Sequence, residues 1–192
     1  MYVSLVNTSI KTVLIIYLFM FLTVLPACAK EAILRDIVVT KDDSHLLLYF
    51  SVADPFTKDM KEAIGNGVNI TFNFFIRVHE VRKRWWDKKI ADIKVTHDVR
   101  YDSLKEIYMV SLHEKDDKEI LVRSIDEVEG LMSKIEKLKL TELQALQRGD
   151  SYQVRMMAKL DKTRLPNNLH NVLFFLSPWE FKTDWHAVDF TY

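Results

Sequence analysis

Val68-Asn-Ile-Thr-Phe-Asn-Phe-Phe-Ile-Arg-Val-His-Glu80 is the stretch that decides the fold. Val68, Ile70, Phe72, Phe74, Ile76 and Val78 fall at every second position. Side chains of an extended chain point alternately to opposite faces, so this spacing predicts a long strand with one apolar face. The alternation breaks over residues 81–89 and resumes at Ile93, Val95, His97, Val99 and Tyr101, which predicts a returning strand after an irregular connection.

Upstream, residues 33–40 and 45–53 read as strands around the polar cluster Lys41-Asp42-Asp43-Ser44. Downstream, residues 106–113, 119–123, 152–160, 171–176 and 185–192 read as further strands, with turns at Asp102-Ser103, Asp116-Asp117 and Ser177-Pro178. Two segments carry helix-start chemistry. Thr57 offers a cap for residues 58–66, with Met60, Ala63 and Ile64 on one face. Ser124-Ile-Asp-Glu127 has the form of a capping box, in which the serine oxygen takes the Glu127 amide proton and the Glu127 carboxylate reaches back. Ile125, Val128, Leu131, Met132, Ile135 and Leu138 extend that helix at helical spacing, and residues 141–148 offer a third short turn ending at Gly149. All four glycines are expected at helix ends or turns. The predicted class is mainly β (α+β): an antiparallel β-sandwich-like domain with two or three short helices, preferred over a single curved sheet.

Residues 1–29 hold one charge, Lys11, before a long apolar run that closes on Pro26-Ala27-Cys28-Ala29. A basic start, an apolar middle and small residues at the end read as a signal peptide cleaved after Ala29. The run also approaches the ~20 residues that span a bilayer, so an N-terminal membrane anchor is the second reading. Leu25-Pro26-Ala27-Cys28 is similar to the lipoprotein box, in which Cys28 would carry lipid. Each reading makes the protein exported, and periplasmic or membrane-associated through its N-terminus. Residues 30–192 are then a single globular β-rich domain, a size within the usual range for one domain.

Lys and Arg balance Asp and Glu at 27 each, so the chain lacks the basic excess of a dedicated nucleic-acid binder. One cysteine excludes an internal disulfide framework. His45, His79, His97, His113, His170 and His186 form no zinc-binding helix motif, and no serine stands in a nucleophile elbow. His97 lies on the apolar face of its strand and is read as a core histidine whose ring nitrogens find partners. Asp42-Asp43 and Asp116-Asp117 are read as turn carboxylates that accept local backbone hydrogen bonds. No catalytic residue, metal site or cofactor is expected.

One segment stands apart. Arg82-Lys83-Arg84-Trp85-Trp86-Asp87-Lys88-Lys89 places five cations and two indoles within eight residues. Such a mixture suits an acidic protein partner or anionic lipid headgroups. The competing reading has the tryptophans capping one end of the sheet beneath solvated cations. Arg82, Lys83, Arg84, Trp85, Trp86, Lys88 and Lys89 are therefore the candidate interaction surface. The C-terminal set Trp179, Phe181, Trp185, Phe190 and Tyr192 is read as core.

Ile33-Leu-Arg-Asp-Ile-Val-Val-Thr, Ile64-Gly-Asn-Gly-Val-Asn-Ile-Thr-Phe, Val81-Arg-Lys-Arg-Trp-Trp-Asp-Lys-Lys-Ile, Leu160-Asp-Lys-Thr-Arg-Leu-Pro and Ser177-Pro-Trp resemble the domain-of-unknown-function family numbered 4390, over nearly all of the chain after the signal. The resemblance implies an exported protein of the Gram-negative envelope and brings no catalytic residue with it. Two functional expectations follow. The first is a non-enzymatic interaction or sensory module whose partner is an envelope protein or a membrane surface, with no nucleic acid involved. The alternative is a small-molecule or lipid carrier with an apolar cavity between its sheets, lined by Phe72, Phe74 and Phe75.

Overall fold

A computed structural model describes residues 32–115, 118–161 and 181–192. The expected strand over residues 171–176, the turns at Asp116-Asp117 and Ser177-Pro178, Cys28 and Trp179 lie outside them. The elements in chain order are β1 (Ile33–Lys41), β2 (His45–Ala53), α1 (Lys58–Gly65), β3 (Ile70–Glu80), β4 (Lys88–Asp102), β5 (Ile107–Leu112), β6 (Glu119–Val122), α2 (Ile125–Met132), β7 (Lys134–Glu142), β8 (Ser151–Leu160) and β9 (His186–Thr191). One sheet has the order β1-β2-β7 and the other β6-β5-β4-β3-β8-β9, and all named pairs are antiparallel. The protein is a mainly β, sandwich-like α+β fold.

The alternation in β3 fixes the layers. Ile70, Phe72, Phe74, Ile76 and Val78 are fully buried, while Phe75 and Arg77 face outward. Facing them, Leu46, Leu48, Phe50 and Val52 of β2 join the same core. Phe50 meets Phe74 edge-on between the sheets at 5.8 Å, a favoured aromatic arrangement. Phe56, Phe72 and Phe181 continue the packing, with centroids 5.1 and 4.6 Å apart.

Both predicted caps are present, with one change of geometry. The Thr57 side chain accepts from the Met60 amide at 3.2 Å and starts α1, which buries Met60 and Ile64. Ser124 caps α2, but its oxygen takes the Asp126 amide at 3.2 Å rather than that of Glu127. The helix also ends at Met132, and Ile135 and Leu138 belong to β7. A bulge explains the false helical spacing. Leu48 pairs with Leu138 and Phe50 with Ile135, so Glu136 and Lys137 together oppose Tyr49. The extra residue turns an apolar spacing of two into three. Lys137 takes φ +56° at this point, a left-handed conformation usually left to glycine. Gly130 lies inside α2 rather than at an end, whereas Gly67 and Gly149 do adopt positive φ.

Candidate functional site

The pairing of β3 with β4 sets the frame for the candidate segment. Val78 pairs with Ala91 and His79 with Lys89, so Ile90 is the extra residue of a bulge beside the connection. Glu80 pairs with Lys88, making Lys88 and Lys89 the first residues of β4 rather than loop. Ladder-like bonding runs one residue past β3, since the Val81 amide donates to Ser151 O at 2.8 Å. The Asp87 carboxylate then accepts from the Arg82 amide at 3.3 Å and closes the loop across its neck.

The structure divides the seven candidates into two groups. At the neck, the Glu80 carboxylate, its side chain 14% exposed, receives Arg82 Nε at 2.7 Å and lies 3.9 Å from Lys88 Nζ. The hydrogen bond from Arg82 holds the Glu80 carboxyl below its usual range, aided by the charges of Arg82 and Lys88. Lys89 Nζ reaches Asp92 at 3.2 Å, and Arg77 Nε approaches the same carboxylate at 3.5 Å. Arg77 in turn lies over the Trp185 ring, 4.7 Å from its centroid. Arg82 and Lys88 thus share the Glu80 carboxylate, and Lys89 shares Asp92 with Arg77, so each neck cation has a carboxylate partner.

The tip differs. Residues 81–89 are all exposed, and Lys83 and Arg84 have no carboxylate partner among the described residues. Trp85 is 78% and Trp86 93% exposed, so the tryptophans do not cap the sheet. An indole left almost wholly in water gives up the burial that stabilises most large aromatic side chains. Two such neighbours at the end of the loop form an exposed aromatic patch.

Other sequence candidates fall elsewhere. His97 is fully buried against Phe74, with ring centroids 4.7 Å apart. Its Nδ1 lies 3.1 Å from Met132 O, and its Nε2 lies 3.1 and 3.0 Å from the Glu114 carboxylate oxygens. Met132 O only accepts, so the ring donates to it from Nδ1, and Nε2 is left to hydrogen-bond the Glu114 carboxyl. Burial acts to raise the Glu114 carboxyl, and the hydrogen bond and charge of His97 more than offset it, leaving the group below its ordinary value. Nothing in the spacing of residues 97 and 114 signals this pair. Asp42 does accept from the Ser44 and His45 amides, at 2.9 and 2.7 Å, as a turn carboxylate. Of the C-terminal aromatics, Phe181 is core and Phe190 stacks on Tyr152, but Trp185 is 42% exposed and belongs to the outer face.

Among the described residues no group of His, Cys, Asp and Glu is arranged to hold a metal ion, and no helix is long and apolar enough to cross a membrane. Comparison with curated proteins and with solved structures gives no match. The family model described as Domain of unknown function (DUF4390) matches residues 29–189, most of the chain, and the protein belongs to that family.

Proposed function

We propose that this protein is a non-enzymatic contact module of the bacterial cell envelope, exported by its N-terminal segment, that acts through the loop between β3 and β4. The observation that carries the reading is the tip itself: Trp85 and Trp86 largely exposed beside Lys83 and Arg84, which have no carboxylate partner among the described residues. Clustered Trp and Arg are the usual anchors of contact surfaces. Arg82, Lys88 and Lys89 serve a different purpose, because Glu80 and Asp92 hold them at the neck and stiffen the hairpin. A stiff base under an exposed tip lowers the ordering cost of contact.

The carrier reading has less support. The rings of Phe50 and Phe74 occupy the interval between the sheets, and Phe75 faces outward between Lys94 and Lys159. A groove of about 260 Å³ on the six-stranded sheet has a mixed lining, with Val99 and Met109 among Asn69, Asp98, Arg100, Ser111 and Glu119, and three of these seven carry charge, unlike the predominantly apolar lining a carrier needs.

The test is the combined substitution Lys83→Gln, Arg84→Gln, Trp85→Ser and Trp86→Ser. Exposed side chains away from special features change stability by within about 0.5 kcal/mol each, so unfolding should be little altered. Association with isolated envelopes should be lost, and in the wild type it should weaken as salt rises. Undiminished association of a folded variant would overturn the proposal.

A further inference from the structure

We infer that the partner of the loop tip is the surface of an anionic lipid bilayer, an inference that rests on the contact role proposed above. Three observations converge on it. The first is area. A buried aromatic side chain covers ~150–250 Å², so the two indoles offer roughly 300–500 Å², well below the ~800 Å² per partner of a stable protein interface. A lipid interface asks for no such area, because single aromatic and basic side chains anchor at headgroup depth.

The second is charge. The neck cations are held by Glu80 and Asp92, and Asp87 is turned toward the Arg82 amide. What projects is two cations and two indoles, the composition that sits between phosphate headgroups and acyl chains. The third is placement. Val81 bonds Ser151, Ser151 pairs with Thr191, Gly149 bonds Tyr192, and Lys41 at the end of β1 lies 5.1 Å from the centre of the Tyr192 ring. Ile33, where β1 begins, pairs with Ala53 at the other end of that strand. The loop thus leaves the sheets at the end where β1 finishes, and a domain docked tip-first meets the bilayer with that end.

The experiment uses the full chain with vesicles of phosphatidylcholine alone or mixed with phosphatidylglycerol. Acrylamide quenching of tryptophan emission reads the tip as the difference between the wild type and Trp85→Phe/Trp86→Phe, which keeps only Trp179 and Trp185. Quenching should fall only with phosphatidylglycerol vesicles and recover as salt is raised. In Trp85→Phe/Trp86→Phe, lipid should leave quenching of the remaining emission unchanged. Each basic residue near an anionic surface contributes about fivefold in affinity, so Lys83→Gln/Arg84→Gln should bind these vesicles roughly 25-fold more weakly. Equal quenching with the two vesicle types, or unchanged binding of the double Gln variant, overturns the lipid inference. Crosslinking in native envelopes separates the two levels. A protein adduct at the tip without vesicle protection keeps the contact role and removes the lipid, whereas no adduct of either kind removes both.

Discussion

Replacing Glu114 by alanine removes the only carboxylate within hydrogen-bond distance of His97 among the described residues and leaves the buried ring with Met132 O. The His97 side chain is 0% and the Glu114 side chain 4% exposed, so water does not readily substitute for the lost partner. Leaving a buried polar group without its partner costs about 1–3 kcal/mol, and more beside a charged group. We expect a loss of about 3 kcal/mol, or roughly 6–12 °C in midpoint for a domain of this size. Glu114→Gln should cost far less. A neutral His97 can donate from Nδ1 to Met132 O and accept at Nε2 from the amide, which satisfies both ring nitrogens. The two variants also differ in pH response. The Glu114 carboxyl titrates below its ordinary 4.5 in the folded protein. Its contribution is therefore complete above that ordinary value and is lost as pH falls through the folded value. Urea unfolding between pH 3 and pH 8 should show less acid loss in Glu114→Gln than in the wild type. Alanine and glutamine variants of equal stability at pH 7, or parallel acid profiles for Gln and wild type, would refute the stabilising role of the His97–Glu114 hydrogen bond.

Three further outcomes are expected. Lys137→Gly should stabilise the protein by about 1 kcal/mol, because it removes a side chain from a left-handed backbone conformation; a destabilised variant by urea midpoint would contradict that cost. Ser124→Ala should lower stability by ~0.5–2 kcal/mol through loss of the cap on α2, and an unchanged midpoint would deny the serine that role. Intact-mass measurement of the envelope form should give a chain starting at Lys30. A start at Met1 would refute cleavage, and a lipid increment on Cys28 would establish the acylated form instead.

The sequence was most legible where burial alone sets the pattern. The uninterrupted alternation of β3 located the core, and the caps at Thr57 and Ser124 located both helices, because each depends on neighbours close in the chain. It was least legible where one backbone irregularity changed the spacing. The bulge at Glu136 and Lys137 made an edge strand imitate a continuing helix, and no residue type announces a left-handed lysine. Long-range pairing was hidden too. Arg82, Lys83 and Arg84 are alike in the sequence, yet the fold brings Glu80 against the first and gives the others no carboxylate among the described residues. The basic-aromatic run was visible, while its division into neck and tip needed three dimensions.

The most direct measurement of the contact role places a photo-crosslinking amino acid at Trp86 in the living cell, with the same residue at Leu104 as control. The two positions are almost equally exposed, 93% and 96%, but lie beyond opposite ends of β4. Exposure alone therefore predicts equal adducts. Abundant adducts at Trp86 with few at Leu104 are what a dedicated contact tip produces. Equal or absent adducts at the two positions would contradict it.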